Sequence, residues 1–223
     1  MTAATTANTG VTERVARLRK FADADPRAAQ DAAFAWIQRL GAGLPGHSAE
    51  IELAQLFAAG APADADGQTD GILVGWTAAH PDLDRTGRIL RAVCCAVTGI
   101  GVMPWLGKKF DQPAQRGTNS VSLLAVLLTA LVAPGYRLRK SGKHWEGFDM
   151  LNRVETSVVS PRTQVLVLDY ETIGTNPWPV NKVRDEAVQI VPGVYLGAKL
   201  WHQANGYMQL AYWAARTPDS RPA

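Results

Sequence analysis

The sequence predicts a mainly β protein in which two or three N-terminal α-helices precede an antiparallel β-barrel. Apolar residues recur at helical spacing over the first 60 positions. After residue 70, short runs of β-branched and aromatic residues alternate with turn residues, which favours closely spaced antiparallel strands. The chain closes with a pattern typical of a hairpin, because Ala204-Asn205-Gly206 separates strand-like residues 193–203 from strand-like residues 207–215.

Residues 1–60 form the N-terminal helical segment, after an opening stretch of small polar residues. Residues 1–9 show no apolar periodicity, so we expect them to be disordered. Residues 11–24 carry apolar side chains three positions apart, which predicts a first helix.

The second and third helices have recognisable starts. Asp25-Pro26 is a favourable pair of N-cap and first-turn residues, and Gly41 ends the periodic pattern that follows. Ser48 is a candidate N-cap for a third helix over residues 49–58. Residues 61–70 are rich in Ala, Pro, Asp and Gly without periodicity, so they predict a linker to the barrel domain, residues 71–216.

The first half of the barrel domain mixes strand and helix patterns. Residues 71–78 are strand-like, whereas residues 88–97 place their apolar side chains on one helical face. That face includes Cys94, which indicates core packing rather than thiol chemistry. The long apolar run at residues 118–132 fits a strand, a strand pair or a buried helix, since periodicity alone does not separate them.

Strand patterns dominate the second half. Residues 145–159 and 164–171 are rich in β-branched and aromatic residues and are separated by a turn containing Pro161. Residues 180–189 fit a short helix, and residues 217–223 fit a flexible tail.

Two motifs carry a resemblance to known families. Trp105-Leu-Gly-Lys-Lys-Phe110, preceded by the Gly-rich strand Gly71-Ile-Leu-Val-Gly-Trp76 and a helix with Ile89-Leu90, resembles the arrangement in the GXWXG family of small bacterial proteins. Arg184-Asp-Glu, followed by Pro192-Gly-Val-Tyr-Leu-Gly197, is similar to a motif of bacterial lipocalin-like, or calycin, proteins. The resemblances cover roughly residues 70–215. They imply a calycin-like antiparallel barrel and supply no catalytic residues.

Size and charge limit the classes of function. A chain of 223 residues fits one domain, or a domain with an appendage. Its formal net charge of +3 comes from scattered Lys and Arg, and its densest basic cluster, residues 137–143, is short. This distribution argues against a nucleic-acid partner.

The sequence also predicts a cytoplasmic location. Cys94 and Cys95 are adjacent and are the only cysteines, so no structural disulfide is expected. The N-terminus lacks the basic and apolar regions of a secretory signal. The longest apolar run, residues 121–133, is shorter than the about 20 residues of a spanning helix, so no membrane span is expected. The oligomeric state is left open.

Familiar catalytic signatures are absent from the sequence. It contains no phosphate-binding loop, no dinucleotide fingerprint after a strand and no Gly-x-Ser-x-Gly elbow. The four histidines are never paired at metal-ligand spacing, so neither a metal nor a cofactor is expected.

Aromatic residues gather in the barrel half of the chain, which suits a cavity with flat walls and a few polar groups. Each of them also fits ordinary core packing. The aromatic candidates for ligand contact are Trp105, Trp145, Tyr170, Tyr195, Trp201 and Tyr212.

Charged residues inside apolar strands add further candidates. Arg153 and Lys199 are candidate ligand contacts, and Glu155 and Asp169 are candidate acid–base groups, because a charge inside a barrel needs a partner. If those strand faces are outside, the same residues are solvated charges. Asp185 and its neighbours in the Arg184-Asp-Glu motif fit an architectural role better than acid–base chemistry.

These patterns lead to a first hypothesis, that the barrel binds an apolar or amphipathic small molecule in its interior. The alternative is a cyclase or isomerase of specialised, polyketide- or terpene-like metabolism that folds its substrate in the cavity. A third possibility is an interaction protein whose barrel is filled by side chains.

Overall fold

A computed structural model describes residues 2–99 and 103–218 of the chain, with side chains from Gly10 onward. The helices are α1 (Thr2–Ala24), α2 (Pro26–Gly41), α3 (His47–Ala58), α4 (Arg85–Gly99) and α5 (Leu123–Val132), with a 3-10 turn at Val180–Lys182. The strands are β1 (Ala61–Pro62), β2 (Gly67–Gln68), β3 (Asp70–Trp76), β4 (Trp105–Asp111), β5 (Arg116–Val121), β6 (Arg139–Ser141), β7 (His144–Thr156), β8 (Gln164–Asp169), β9 (Val183–Val191), β10 (Val194–Gln203) and β11 (Gly206–Arg216).

The strands form one antiparallel sheet that curls into a nearly closed barrel. Its strand order is β2-β4-β5-β7-β8-β9-β10-β11-β3, while β1 pairs with β9 and β6 pairs with β7. Strands β2 and β3 are consecutive in the chain, yet β2 pairs with β4 and β3 pairs with β11. Between them, the Thr69 amide donates to the Lys108 carbonyl at 2.8 Å. One continuous segment therefore connects the two ends of the sheet. The mainly β prediction, with helices before an antiparallel barrel, is confirmed.

The two faces of the sheet have different partners. On β10, Val194, Leu196, Ala198 and Leu200 point outward and pack in one apolar cluster with side chains of α1, α2 and α3. Tyr195 points the opposite way and joins an interior cluster with Trp213. Since fully burying a leucine stabilises the fold by about 2 kcal/mol, the three helices hold the outer face of β8–β11 firmly.

Helix α2 begins as the sequence predicts. The Asp25 side chain accepts a hydrogen bond from the Ala28 amide, and Pro26 occupies the first turn. The helix ends at Gly41, where a Cβ would overlap the Val74 backbone of β3. Helix α3, by contrast, begins at His47 with Gly46 as its N-cap, so the prediction of Ser48 as the cap is wrong.

In two other segments the observed secondary structure differs from, or is more specific than, the prediction. The apolar run at 118–132 divides into the end of β5 and helix α5, which begins after Ser122. The helix predicted at 180–189 is wrong, because only Val180–Lys182 turn and the rest forms β9. Strand β9 lies between β8 and β10 and pairs with both, so ladder hydrogen bonds override its weak helical pattern.

Two of the segments expected to lack regular structure contain strands or part of a helix. Residues 61–70 contain β1 and β2 and begin β3. Helix α1 includes residues 2–9. Residues 219–223 of the predicted tail lie outside the described residues. Among the described residues, no helix combines the length and apolarity needed to cross a bilayer.

Gly197 of β10 makes room for an aromatic ring inside the barrel. It pairs across the sheet with Trp213 of β11, and the Trp213 indole lies directly over it. A Cβ at position 197 would overlap that indole. The absent side chain therefore sets where Trp213 lies.

Replacing Gly197 with alanine should therefore destabilise the barrel. We expect Gly197→Ala to lower the free energy of unfolding by about 1–3 kcal/mol, because a buried indole has to move. Urea denaturation monitored by tryptophan fluorescence measures the change. Gly174→Ala is the matched control, since a Cβ at that exposed turn position meets open space. Equal stability of the two variants would contradict the assignment.

Candidate functional site

The barrel interior contains a cavity of about 670 Å³. Apolar side chains of α4 and α5 form one side of it, and Pro177 to Val180 together with Val183 form another. Some lining residues are themselves exposed, such as Ile89 at 57% and Val132 at 58%, so the two helices flank the opening. The lining residues from these helices are Thr86, Ile89, Leu90, Val93, Cys94, Ala125, Leu128, Thr129 and Val132.

Helix α4 presents to the cavity the apolar face that the sequence indicated. Ile89, Leu90, Val93 and Cys94 all line the cavity instead of packing in a closed core. Cys94 and Cys95 are free thiols. Burial raises the pKa of the Cys94 thiol, so it remains protonated and adds to the apolar wall.

A polar cluster lines the buried part of the cavity, which we call the cavity floor. The Lys108 ammonium donates to Asp185 Oδ2 at 2.8 Å, to Tyr170 Oη at 2.6 Å and to Asn119 Oδ1 at 3.1 Å. Lys199 donates to the other oxygen of Asp185 at 3.2 Å. Lys108, Tyr170 and Asp185 are at most 2% exposed, so this ion pair is almost fully removed from water. We call Lys108, Asn119, Tyr170, Asp185 and Lys199 the floor cluster.

Further hydrogen bonds fix the orientation of the cluster. Asn119 Nδ2 donates to Tyr170 Oη at 3.1 Å and to the Phe148 carbonyl at 3.1 Å, and Trp105 Nε1 donates to Asn119 Oδ1 at 3.0 Å. Tyr170 in turn donates to Asp185 Oδ2 at 3.3 Å. The Asp185 carboxylate is therefore the final acceptor of the network.

The barrel geometry brings these five side chains together from five places in the chain. Lys108, Asn119, Asp185 and Lys199 occupy inward positions of β4, β5, β9 and β10, and Tyr170 directly follows β8. Close approach of β4 to Thr69 depends on Gly107, whose φ of 150° lies in the glycine region and whose Cβ would overlap the Thr69 carbonyl. Lys108 follows this glycine directly, so the barrel closure also positions the buried lysine.

Burial and mutual charge change the proton affinities in the cluster. Burial lowers the pKa of Lys108, while Asp185 opposes that shift. Burial alone would raise the pKa of Asp185, but Lys108 and Lys199 together hold it below its usual value. Burial, together with the negative charge of Asp185, raises the pKa of Tyr170 well above its usual value. At neutral pH the cluster thus contains an ionised aspartate and a protonated tyrosine.

Aromatic rings enclose the Lys108 ammonium. Its Nζ lies 4.8 Å from the Trp213 ring centroid, 5.3 Å from that of Tyr170 and 5.4 Å from that of Trp105. Trp105 and Trp213 meet edge to face with centroids 5.8 Å apart. These rings offset part of the cost of burying the cation and exclude water from the cavity floor.

The structure brings three of the predicted ligand contacts, Trp105, Tyr170 and Lys199, together in the cavity. Tyr195 points into the barrel, but its hydroxyl donates to the Asp64 carbonyl outside the lining. Trp201 lines a second, more polar pocket with Asp84 and Gln203.

The other two aromatic candidates lie away from the cavity lining. Tyr212 packs in the outer cluster under the N-terminal helices. Trp145 lies beneath the Lys140 ammonium at 5.8 Å from its ring centroid.

Arg153, Glu155 and Asp169 lie on the outward face of the sheet. Arg153 pairs with Glu155 and, at 2.6 Å, with Asp169. Arg184 extends this network to Glu155 at 3.1 Å and to Glu186 at 3.0 Å. Their strands point Leu166, Leu168 and Val183 inward instead, so the pleat puts these charges on the side away from the cavity.

Lys108, Asn119 and Asp185 belong to the site, although none of them is a site residue expected from the sequence. The sequence does contain a signal for Lys108, because side chains two positions apart on a strand lie on the same face. Lys108 therefore shares a face with the buried Phe110. Asp185 likewise lies between Val183 and Ala187 on the inward face of β9. The helical pattern of residues 180–189 concealed that alternation, and the adjacent carboxylates of Asp185 and Glu186, which point apart, favoured an architectural role.

Comparisons with known proteins do not assign a family. No family model matches the chain, and no curated protein matches it. A protein from Thermomonospora curvata with a known crystal structure matches at 15% identity and a TM-score of 0.40, covering 82% of this chain and 97% of that chain. Membership of the calycin, lipocalin or GXWXG families is not shown.

The floor cluster holds a single carboxylate, which does not suit a metal ion. Across residues 2–99 and 103–218, no group of three or more His, Cys, Asp or Glu side chains is arranged to bind one. The chemistry that the cluster offers is electrostatic, through ammonium groups held at the end of an apolar cavity.

Removing both members of the buried ion pair should cost less stability than the sum of the losses caused by removing each member alone. We expect Lys108→Met and Asp185→Asn each to lower the free energy of unfolding by about 3 kcal/mol, because Lys108→Met leaves Asp185 with Lys199 alone and Asp185→Asn leaves both ammonium groups without their carboxylate. The double variant should lose clearly less than the sum of the two losses. Chemical denaturation of all four proteins measures this coupling energy. Additive losses would show that the two charges do not stabilise each other.

The depressed pKa of Asp185 also predicts sensitivity to acid. Because the folded state holds this carboxylate ionised more strongly than the unfolded state does, its contribution is full above the ordinary aspartate pKa of 3.8 and is lost as pH falls. As pH falls below about 4, the wild type should therefore lose more stability than Asp185→Asn, while the two should change in parallel between about pH 6 and about pH 4. Thermal melts across both ranges measure the difference, and parallel curves below about pH 4 would contradict the shift.

Proposed function

We propose that this protein binds an apolar or amphipathic small molecule in the barrel cavity. The observation that supports this most is the combination of a mostly apolar cavity of about 670 Å³ with one polar cluster at its end. This volume lies within the range of about 300–1,000 Å³ typical of small-molecule sites. An unfilled interior also argues against the third hypothesis, a barrel filled by side chains.

The position of the polar groups supports binding of a molecule that enters with its polar end first. Apolar residues of α4 and α5 flank the opening and are partly exposed, whereas Lys108 and Asp185, which line the same cavity, are almost fully buried. A ligand could bury its apolar body along the walls while its polar end contacts the floor cluster. Burial of the body would supply about 25 cal/mol per Å² of apolar surface.

A cyclase or isomerase remains the second candidate function. Lys199 supports it, because an ammonium in an apolar cavity can polarise a substrate carbonyl. Binding is favoured because Lys108, Tyr170 and Asp185 are already hydrogen-bonded to one another, so their polar atoms are occupied. Glu155 and Asp169 are likewise engaged in ion pairs on the outward face.

We also propose that binding takes place in the cytoplasm. Both cysteines are free thiols, which suits a reducing compartment.

Narrowing the cavity opening should abolish binding. We expect Thr129→Trp to weaken the binding of the neutral apolar dye Nile red at least about tenfold, because the indole would occupy ligand space. Fluorescence titration of the purified protein measures the affinity.

Ala130→Trp is the matched control for this test. It adds the same side chain to the same helix at an exposed position that does not line the cavity. The dye should bind this variant as it binds the wild type. Undetectable dye binding to the wild type, or an equal effect of both substitutions, would contradict the proposed cavity function.

A further inference from the structure

The charges that line the cavity do not cancel. Among the described lining residues, the charged side chains are the ammonium groups of Lys108 and Lys199 and the carboxylate of Asp185. Two cations share one anion, which gives the floor a formal charge of +1. An excess charge in an apolar cavity is costly unless a partner of opposite sign compensates it.

The hydrogen-bond donors and acceptors of the floor cluster are also unequal in number. Lys108 uses its three N–H groups on three oxygens, which suits the ammonium form. Asp185 accepts from a lysine on each of its two oxygens. Tyr170 Oη and Asn119 Oδ1 each accept two hydrogen bonds as well. Each of these acceptor oxygens therefore already has at least one donor within the cluster.

Unused donors remain at the same place. Among the described contacts, Lys199 makes one hydrogen bond, to Asp185, and its side chain is 33% exposed. Two of its three N–H groups are thus available on the cavity side. The Trp213 indole N–H, on another lining residue, is buried and has no acceptor among the described residues.

From this imbalance we infer that the ligand is an apolar molecule with an anionic carboxylate end, and that Lys199 binds the carboxylate. The inference rests on the proposed function and narrows it to one ligand class. A carboxylate supplies the missing negative charge and the missing acceptors. A neutral hydroxyl supplies an acceptor but no negative charge. An amine would add a third cation.

Charge-assisted hydrogen bonds are stronger than neutral ones, and the apolar walls reduce screening by water. A carboxylate should therefore bind about 10- to 100-fold more tightly than an alcohol of the same shape.

Matched ligands test the inference by competition with Nile red. The first set is dodecanoic acid, 1-dodecanol and dodecylamine, which share one chain and differ at its end. The second set, 2-naphthoic acid and 2-naphthylmethanol, repeats the comparison with a ring body. The acid should be the strongest competitor in each set, and the amine the weakest in the first.

Variants of Lys199 show whether this residue provides the preference. Lys199→Met should remove most of the advantage of the acid over the alcohol, with each competitor measured against the Nile red affinity of that same variant, so that any change in dye binding cancels from the comparison. Lys199→Arg keeps the charge and should keep the preference. Thermal melts establish that both variants fold, and the Lys108–Asp185 pair is left intact in each.

The outcomes separate this inference from the proposed function. If Nile red binds but neither acid competes better than its alcohol, including the case where none competes, the inference is overturned and the cavity function stands. A preference that survives in Lys199→Met also overturns it. If Nile red itself fails to bind the wild type, the proposed function fails first.

Discussion

Lys108 and Asp185 have to meet inside the barrel, because neither charge has water to stabilise it. Lys108 lies on β4 and Asp185 on β9, so their contact spans the barrel interior rather than one strand pair. Removing either partner would leave an ion in apolar surroundings, and such an ion costs several kcal/mol. The ion pair therefore ties the closure of the barrel to one register of its strands.

Several other features follow from this pair. Gly107 allows β4 to approach Thr69, and the lysine that follows it points into the interior. Gly197 leaves space for Trp213, whose ring lies 4.8 Å from the Lys108 ammonium. Tyr170 and Asn119 then satisfy the remaining donors of Lys108. Replacing such a network with apolar residues would commonly cost little stability, so its presence next to an apolar cavity favours a role in recognition.

The two faces of the sheet have different roles, since one packs against helices and the other lines the cavity. The outward face of β8–β11 packs against α1, α2 and α3, and its charges pair with one another. The inward face carries the floor cluster and the aromatic walls of the cavity. Helices α4 and α5 lie at the opening, where they shield the cavity and still expose apolar side chains. A ligand would thus meet apolar residues first and charged residues last.

Local patterns in the sequence were sufficient for the helical N-terminus, the final hairpin and the mainly β class. Asp25-Pro26 at the start of α2 and Gly206, whose φ is 107°, act through their own backbone geometry, which needs no distant partner. The same local rules failed for residues 180–189, because β9 is stabilised by ladders to two neighbouring strands that its own residues do not reveal.

The site was harder to predict than the fold, because it is formed by residues that are distant in the sequence. Trp105, Tyr170 and Lys199 could be selected because aromatic and charged residues in strands are unusual, but selection did not show which face they occupy. Glu155 and Asp169 had the same pattern and lie outside, since the pleat direction is decided by which face the helices cover.

The sequence by itself determined that this chain forms helices followed by an antiparallel barrel, because periodicity and turn chemistry are local properties. Only the tertiary structure decided that Lys108, Asp185 and Lys199 share one buried site, because their contact depends on barrel closure and strand register over 91 positions of the chain, from 108 to 199.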